Sequence, residues 1–224
     1  MSLTYAIGDI HGCLDKLRRL MLRCEEHADG RPVSFVFVGD YIDRGPQSCG
    51  VIDCLIDLKM QHGENVVTLT GNHEAMALAA IDGSGPVRLW LAQGGLATLA
   101  SYGVAEASEL PRAQVARAHV DWLRALPLSY DDGRRFFVHA GVNPDAPLDA
   151  QDDFDLLWIR EPFLSHGGDH GRLIVHGHTP LADGVPDLRG NRLNLDTGAV
   201  FGGPLTAAVF DDAQTEPIGF LQAE

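Results

Sequence analysis

Short apolar runs, each ending in a glycine or a hard polar residue, punctuate this chain. Residues 3–7 and 33–38 read as strands, the second apolar almost throughout, as a sheet covered on both faces requires. Residues 66–69 predict a third. Between them the period changes to that of a helix. Leu14, Leu17, Met21 and Cys24 share one face after Gly12, and Val51, Cys54, Leu55 and Leu58 share another, with Pro46 at the expected first helical position. The order so far is β-α-β-α-β. From about 75 to 126 the pattern turns to helices broken by Gly83-Ser84-Gly85-Pro86, Gly94-Gly95 and Pro111, an inserted helical layer rather than a separate domain. Strands resume at 128–130, 134–139, 173–176, 192–195 and 205–210. With no repeat, low-complexity tract or linker, residues 1–224 read as a single domain of α/β class.

The polar residues that end these runs are chemically alike. Asp9 and His11 follow the first strand in Gly8-Asp9-Ile10-His11-Gly12, and Asp40, Asp43 and Arg44 follow the second in Gly39-Asp40-Tyr41-Ile42-Asp43-Arg44-Gly45. Asn72 and His73 follow the third in Gly71-Asn72-His73-Glu74. His139-Ala140-Gly141 and His176-Gly177-His178-Thr179-Pro180 end two later strands. Side chains after successive strands converge at one sheet edge, so carboxylate, amide and imidazole donors meet there. That is the layout of a two-metal site, in which one ligand, here Asp40, is shared between ions about 3.5–4 Å apart. Oxygen and imidazole donors suit Mn²⁺, iron or Zn²⁺ better than Ca²⁺, and the absence of thiolates argues against structural zinc. For Asp9, Asp40 or Asn72 taken alone, helix capping or turn chemistry is the competing reading. Three strand-terminal histidines beside them weaken it.

These five runs resemble the metallophosphoesterases, and more narrowly the phosphoprotein-phosphatase family. Asp196-Thr197-Gly198-Ala199-Val200-Phe201, and Trp90-Leu91 followed by Gly94-Gly95, resemble its small bacterial and bacteriophage-lambda type. The resemblance runs from Gly8 to about Val209. It implies two facing mixed β-sheets flanked by helices, the calcineurin-like sandwich. It implies a first divalent ion on Asp9, His11 and Asp40 and a second on Asp40, Asn72, His139 and His178, with Mn²⁺ foremost and iron or zinc as alternatives. The activity implied is hydrolysis of phosphomonoesters by in-line attack of a metal-bridging water, foremost on phosphoserine and phosphothreonine in proteins. A dinucleoside polyphosphate such as diadenosine tetraphosphate is the alternative substrate. A metal-bound regulatory module without turnover is the alternative outside the enzymes, and the intact Asp43, His73 and Arg44 speak against it.

Arg44 and Arg160 are the candidate phosphate ligands, because a guanidinium offers a planar fork matched to two phosphate oxygens and stays charged. A surface ion pair is the plain alternative, stronger for Arg160, which is placed only by following Trp158. His73, next to a ligand, suits a general acid that protonates the departing oxygen, with Asp43 orienting it. Glu74 is expected in the first turn of the next helix, where negative charge is favoured. His176 reads as a satisfied core histidine. Cys13 through Arg19 fits a bare Cys-x5-Arg pattern, but the intervening residues are bulky and helical in period, so no phosphate loop forms. His166-Gly167-Gly168-Asp169-His170-Gly171 reads as a solvated loop bordering the site.

Charge and composition narrow the partners. A formal charge of −14 argues against a nucleic-acid partner, whose non-specific affinity needs clustered Lys and Arg, and divalent ions would offset some of those acids. No stretch approaches the roughly 18 apolar residues that span a bilayer, so no membrane partner is expected. The first seven residues are too short, and lack the basic start, for a signal peptide, so the cytoplasm is the expected compartment. Cys13, Cys24, Cys49 and Cys54 fit neither a zinc ribbon nor a disulfide framework and read as buried fillers.

Overall fold

The computed structural model describes residues 2–104 and 115–224, so the expected breaker Pro111 lies outside the described residues. In chain order the elements are β1 (Leu3–Ile7), α1 (Leu14–Ala28), β2 (Val33–Phe37), α2 (Ser48–His62), β3 (Val66–Thr68), α3 (Asn72–Ile81), α4 (Val87–Trp90) and α5 (Leu96–Ser101). There follow α6 (Arg117–Arg124), β4 (Ser129–Asp131), β5 (Arg135–Val138), α7 (Asp153–Trp158), β6 (Leu173–His176), β7 (Asp187–Leu188), β8 (Arg192–Asn194), β9 (Leu205–Asp211) and β10 (Gly219–Ala223). They form two five-stranded sheets, ordered β10-β9-β1-β2-β3 and β4-β5-β6-β8-β7. Each is mixed. β1, β2 and β3 run parallel, β9 runs against β1 and β10 against β9, while β5, β6 and β8 run parallel between antiparallel β4 and β7.

Strand alternation sorts the core into layers. Tyr5 and Ile7, Phe35 and Phe37, and Ala207 and Val209 join Leu17, Met21 and Cys24 of α1 and Val51 and Leu55 of α2 in one cluster. Their neighbours Ala6, Val36, Ala208 and Phe210 point the other way and meet Phe137, Leu173, Val175 and Leu193 of the second sheet. The far face of that sheet, with Phe136, Val138 and Ile174, is covered by Leu156, Ile159 and Phe163. The stack is helix, sheet, sheet, helix, the facing-sheet sandwich that the resemblance implied.

Several local expectations change. α2 begins at Ser48 rather than at Pro46, because Asp43 and Arg44 take left-handed φ values of 71° and 67° and the Gln47 amide donates to the Gly12 carbonyl at 3.1 Å. Pro46 belongs to that turn. Two helix breaks stand where they are expected: Gly94, at a non-helical φ of 110°, puts a kink between α4 and α5, and Gly83 to Pro86 separates α3 from α4. Only Cys24 is buried, and the other three cysteines are half-buried. The 166–171 loop does not border the site. Asn191, just before β8, donates to the carbonyls of His166 (2.9 Å) and Gly168 (2.8 Å), which ties the loop to the entry ends of β6 and β8, opposite the end that leads to His178.

Phe137 is fully buried between the sheets and meets Phe210 edge-on at 6.4 Å and 90°. Phe137→Ala should lower the unfolding free energy by about 3–5 kcal/mol, the cost of an unfilled cavity in a packed core. Urea denaturation followed by circular dichroism checks this, and a loss below about 1 kcal/mol would mean that the sheets close over the gap.

Candidate active site

All the expected ligands lie just beyond the exit ends of parallel strands. Asp9 and His11 follow β1, Asp40 follows β2, Asn72 follows β3, His139 follows β5 and His178 follows β6. Both sheets therefore deliver donors to one place. Close approach needs the absence of side chains at two glycines: a Cβ on Gly71 would collide with the Asp40 carboxylate, and one on Gly177 with the Asp9 carboxylate.

Asp40 sits at the centre. His11 Nε2 lies 3.4 Å from Asp40 Oδ2 and His139 Nε2 3.4 Å from Asp40 Oδ1. Two groups have their ligand atoms within 4.8 Å of one another, His11 with Asp40 and His73, and Asp40 with His139 and His178. Asn72 Oδ1 closes the second group at 2.8 Å from His139 Nε2 and 3.2 Å from His178 Nδ1. Asp9 stands outside both tight groups. Its oxygens accept the His178 amide at 3.1 and 3.2 Å, so His73 rather than Asp9 is the close third member beside His11.

The donor set calls for cations. His139 Nδ1 faces the Val38 carbonyl at 3.0 Å and His11 Nδ1 the Ile42 carbonyl at 2.8 Å, which leaves each Nε2 as a lone pair turned inward. Burial pushes His11 and His178 down to about 3, and His139 down as well, so these rings are neutral, as ligands must be. An imidazole lone pair and an amide oxygen 2.8 Å apart with no proton between them repel unless a cation draws both. Burial, followed by the neighbouring Asp196 and Asp40 charges, also pushes Asp9 well above the usual carboxylate range. Asp196 rises to about 6, chiefly through burial. At His11, Arg44 Nη1 donates to Nε2 at 2.6 Å, so a cation there and this guanidinium position exclude each other.

Beside the ligands, His73 Nδ1 meets Asp43 Oδ2 at 2.7 Å. Burial lowers the His73 pKa, but Asp40 and Asp43 outweigh it and the net shift is upward. Asp43 is held in turn by Trp90 Nε1, which donates to both its oxygens at 2.9 Å, and by Thr98 Oγ1, which donates to Oδ1 at 2.6 Å. Arg160 is exposed, and its charge acts on His178 and Asp196. His176 is buried, with Nδ1 on its own Gly177 carbonyl at 3.0 Å and Nε2 without a partner, so it is a core histidine satisfied on one side only.

The model of the calcineurin-like phosphoesterase family matches residues 3–207. The chain belongs to that family. This phosphoesterase is 34% identical over 214 residues to serine/threonine-protein phosphatase 1 of Salmonella typhimurium, covering 91% of this chain and 90% of that one, a likeness that supports membership of the phosphoprotein-phosphatase family. It is 31% identical over 235 residues to the asymmetrical bis(5'-nucleosyl)-tetraphosphatase PrpE of Anoxybacillus flavithermus, with 93% and 91% covered. A cold-active protein tyrosine phosphatase shares the fold at a TM-score of 0.68 and 21% identity, over 94% of this chain and 74% of that one. The protein is thus a metal-dependent hydrolase of phosphoric esters. No helix among the described residues is long and apolar enough to cross a membrane.

Sequence reasoning missed what Glu74 does. It is fully buried, and rather than simply facing the helix dipole it accepts the amides of Asp40 (2.8 Å) and Gly71 (2.9 Å) on Oε2 and those of Tyr41 (2.8 Å) and Ile42 (3.3 Å) on Oε1. Burial and Asp40 push its carboxyl up to about 7, opposed by those amides. Trp90 and Asp196 were likewise unassigned, although the motifs that hold them were visible, and Thr98 lies in no motif of the sequence. Glu74→Gln supplies one acceptor where two are used and sets an amide group against backbone N–H donors. The variant should bind Mn²⁺ about 10- to 100-fold more weakly with Asp40 itself intact. Isothermal titration checks this, and unchanged affinity would show that the Asp40 turn holds without the clamp.

Proposed function

We propose that this phosphoesterase cleaves P–O bonds by in-line attack of water, with no phosphoenzyme, and that it acts as a single domain. The observation that carries the reading is the His73–Asp43 pair, fixed by Trp90 and Thr98 beside the lone pairs that converge on Asp40. Asp9, His11, Asp40, Asn72, His139 and His178 are the proposed ligands. When bound, a pair of divalent ions lowers the pKa of a water and offsets charge on phosphoryl oxygens. Mn²⁺ is the proposed metal, with iron or zinc as alternatives, and the cytoplasm, where free cysteines stay reduced, the proposed compartment.

The remaining steps belong to the chain's own side chains. Arg44 turns from His11 to fork two phosphate oxygens, and Arg160 neutralises charge from the other side. His73, with its Nδ1 proton directed to Asp43, gives its Nε2 proton to the leaving oxygen. Two substrate classes share this chemistry. Phosphoserine and phosphothreonine in proteins are supported by the Salmonella relative, and dinucleoside polyphosphates by the Anoxybacillus relative.

A serine alkoxide is strongly basic and needs its proton, whereas p-nitrophenolate departs without one. His73→Asn should therefore lower kcat on the order of 10²–10⁴ toward a phosphoserine peptide and far less toward p-nitrophenyl phosphate, with metal content unchanged by mass spectrometry. Equal losses on both substrates would move His73 from proton donor to ligand positioning. Arg44→Ala should lower kcat/KM by about a hundredfold, and Arg44→Lys should recover little because a point charge lacks the fork. Near-native steady-state kinetics for the alanine variant would return Arg44 to a structural role.

A further inference from the structure

Exposed aromatic side chains are ordinary when scattered singly. Here two of the most exposed stand at the two ends of one row of site residues, Phe201 against an arginine and Phe154 against a tryptophan. Phe201, 65% exposed on the turn after Asp196-Thr197-Gly198, lies 5.4 Å from the Arg44 guanidinium with its ring face toward it, and Arg44 touches His11. At the other end Phe154, 67% exposed at the start of α7, stacks on Trp158 at 6.3 Å and 22°. Trp158 in turn meets His178 edge-on at 6.3 Å, and Arg160 follows two residues later. Between the ends run His11, Asp40, His139 and His178, linked by the contacts given above.

The matching ligand carries a flat π system at each end and an anionic chain between. A phosphoserine peptide presents no such planar groups at fixed distance from its phosphate, and a mononucleotide uses one end only. We propose that Phe201 and the Phe154–Trp158 pair are nucleobase platforms and that the site takes a dinucleoside polyphosphate, its phosphates lying along the row between them. This inference rests on reading the site as a phosphoester hydrolase and names its substrate class. The reaction balances without a co-reactant: the oxygen of water bonds to phosphorus, one bridging P–O bond breaks, and the protons of water pass to the product phosphates or to solvent. A phosphate leaving group asks less of His73 than an alkoxide does, so stacking and charge carry more of the selectivity.

The test compares diadenosine tetraphosphate with inorganic tripolyphosphate on the Mn²⁺-loaded full chain, with p-nitrophenyl phosphate as the general assay. Wild type should prefer the dinucleotide in kcat/KM. Phe201→Ala and Phe154→Ala should each lower that preference about tenfold or more, the order of base–aromatic stacking, and Phe201→Tyr should restore it while Phe201→Leu does not. Diadenosine tetraphosphate should also quench Trp158 fluorescence, a signal lost in Trp158→Phe. An unchanged preference in the alanine variants, equal rescue by leucine, or a phosphoserine peptide hydrolysed more efficiently than the dinucleotide would overturn the platforms. Failure of wild type on every substrate, p-nitrophenyl phosphate included, would instead overturn the hydrolase reading beneath them.

Discussion

A single buried carboxylate, that of Glu74, gathers backbone amides from the ends of two neighbouring strands, and the geometry of the site hangs on it. The turn it clamps holds Asp40 at φ 55°, a left-handed conformation that costs an ordinary residue of order 1–3 kcal/mol. His11, Asp43, Arg44 and His178 share that conformation, leaving Asp29 as the one non-glycine left-handed residue among the described residues outside the site. Strain is therefore concentrated where the chemistry is. It persists because the surroundings over-determine the turns: four amides on Glu74, Trp90 and Thr98 on Asp43, and the Ile42 carbonyl on His11.

The two sheets make this possible by doing something else well. The central strands β1, β2, β5, β6 and β9 carry apolar residues on both faces, so the sandwich buries its core without help from the polar residues at the exit ends. Those residues are then free to be chosen for chemistry. The result is a pocket of buried acids, Asp9, Asp40 and Asp196, that no apolar core would tolerate unneutralised. Divalent ions are the compensation that the donor set fits.

How much of this was legible in the sequence follows from the same division. Fully buried strands announce themselves as apolar runs, so β1, β2 and β6 were readable nearly to the residue, and the ligands were readable because they end those runs. β10 was not, because only Ala223 in it is buried and Phe220 and Gln222 give no clean period. β7 is two residues long and carries no pattern at all. Glu74 stands in the first turn of α3 as expected, but its clamp on the Asp40 turn stayed hidden because helix-start chemistry and a tertiary contact look identical in one dimension. The hydrogen bonds of Trp90 and Thr98 to Asp43 span 47 and 55 residues, a distance over which local patterning says nothing. The 166–171 loop looked like a rim of the site through its histidines, yet which end of a strand a loop occupies is a matter of topology.

Those two long hydrogen bonds carry a further consequence. Trp90 and Thr98 stand on the helical insert, and Arg44 donates its amide to the Gly94 carbonyl of the same insert at 3.2 Å. The insert is thus a scaffold that aims His73 through Asp43 and seats Arg44, although neither His73 nor Arg44 stands on it. A change in how the insert packs therefore reaches both side chains at once, without any substitution at the site itself.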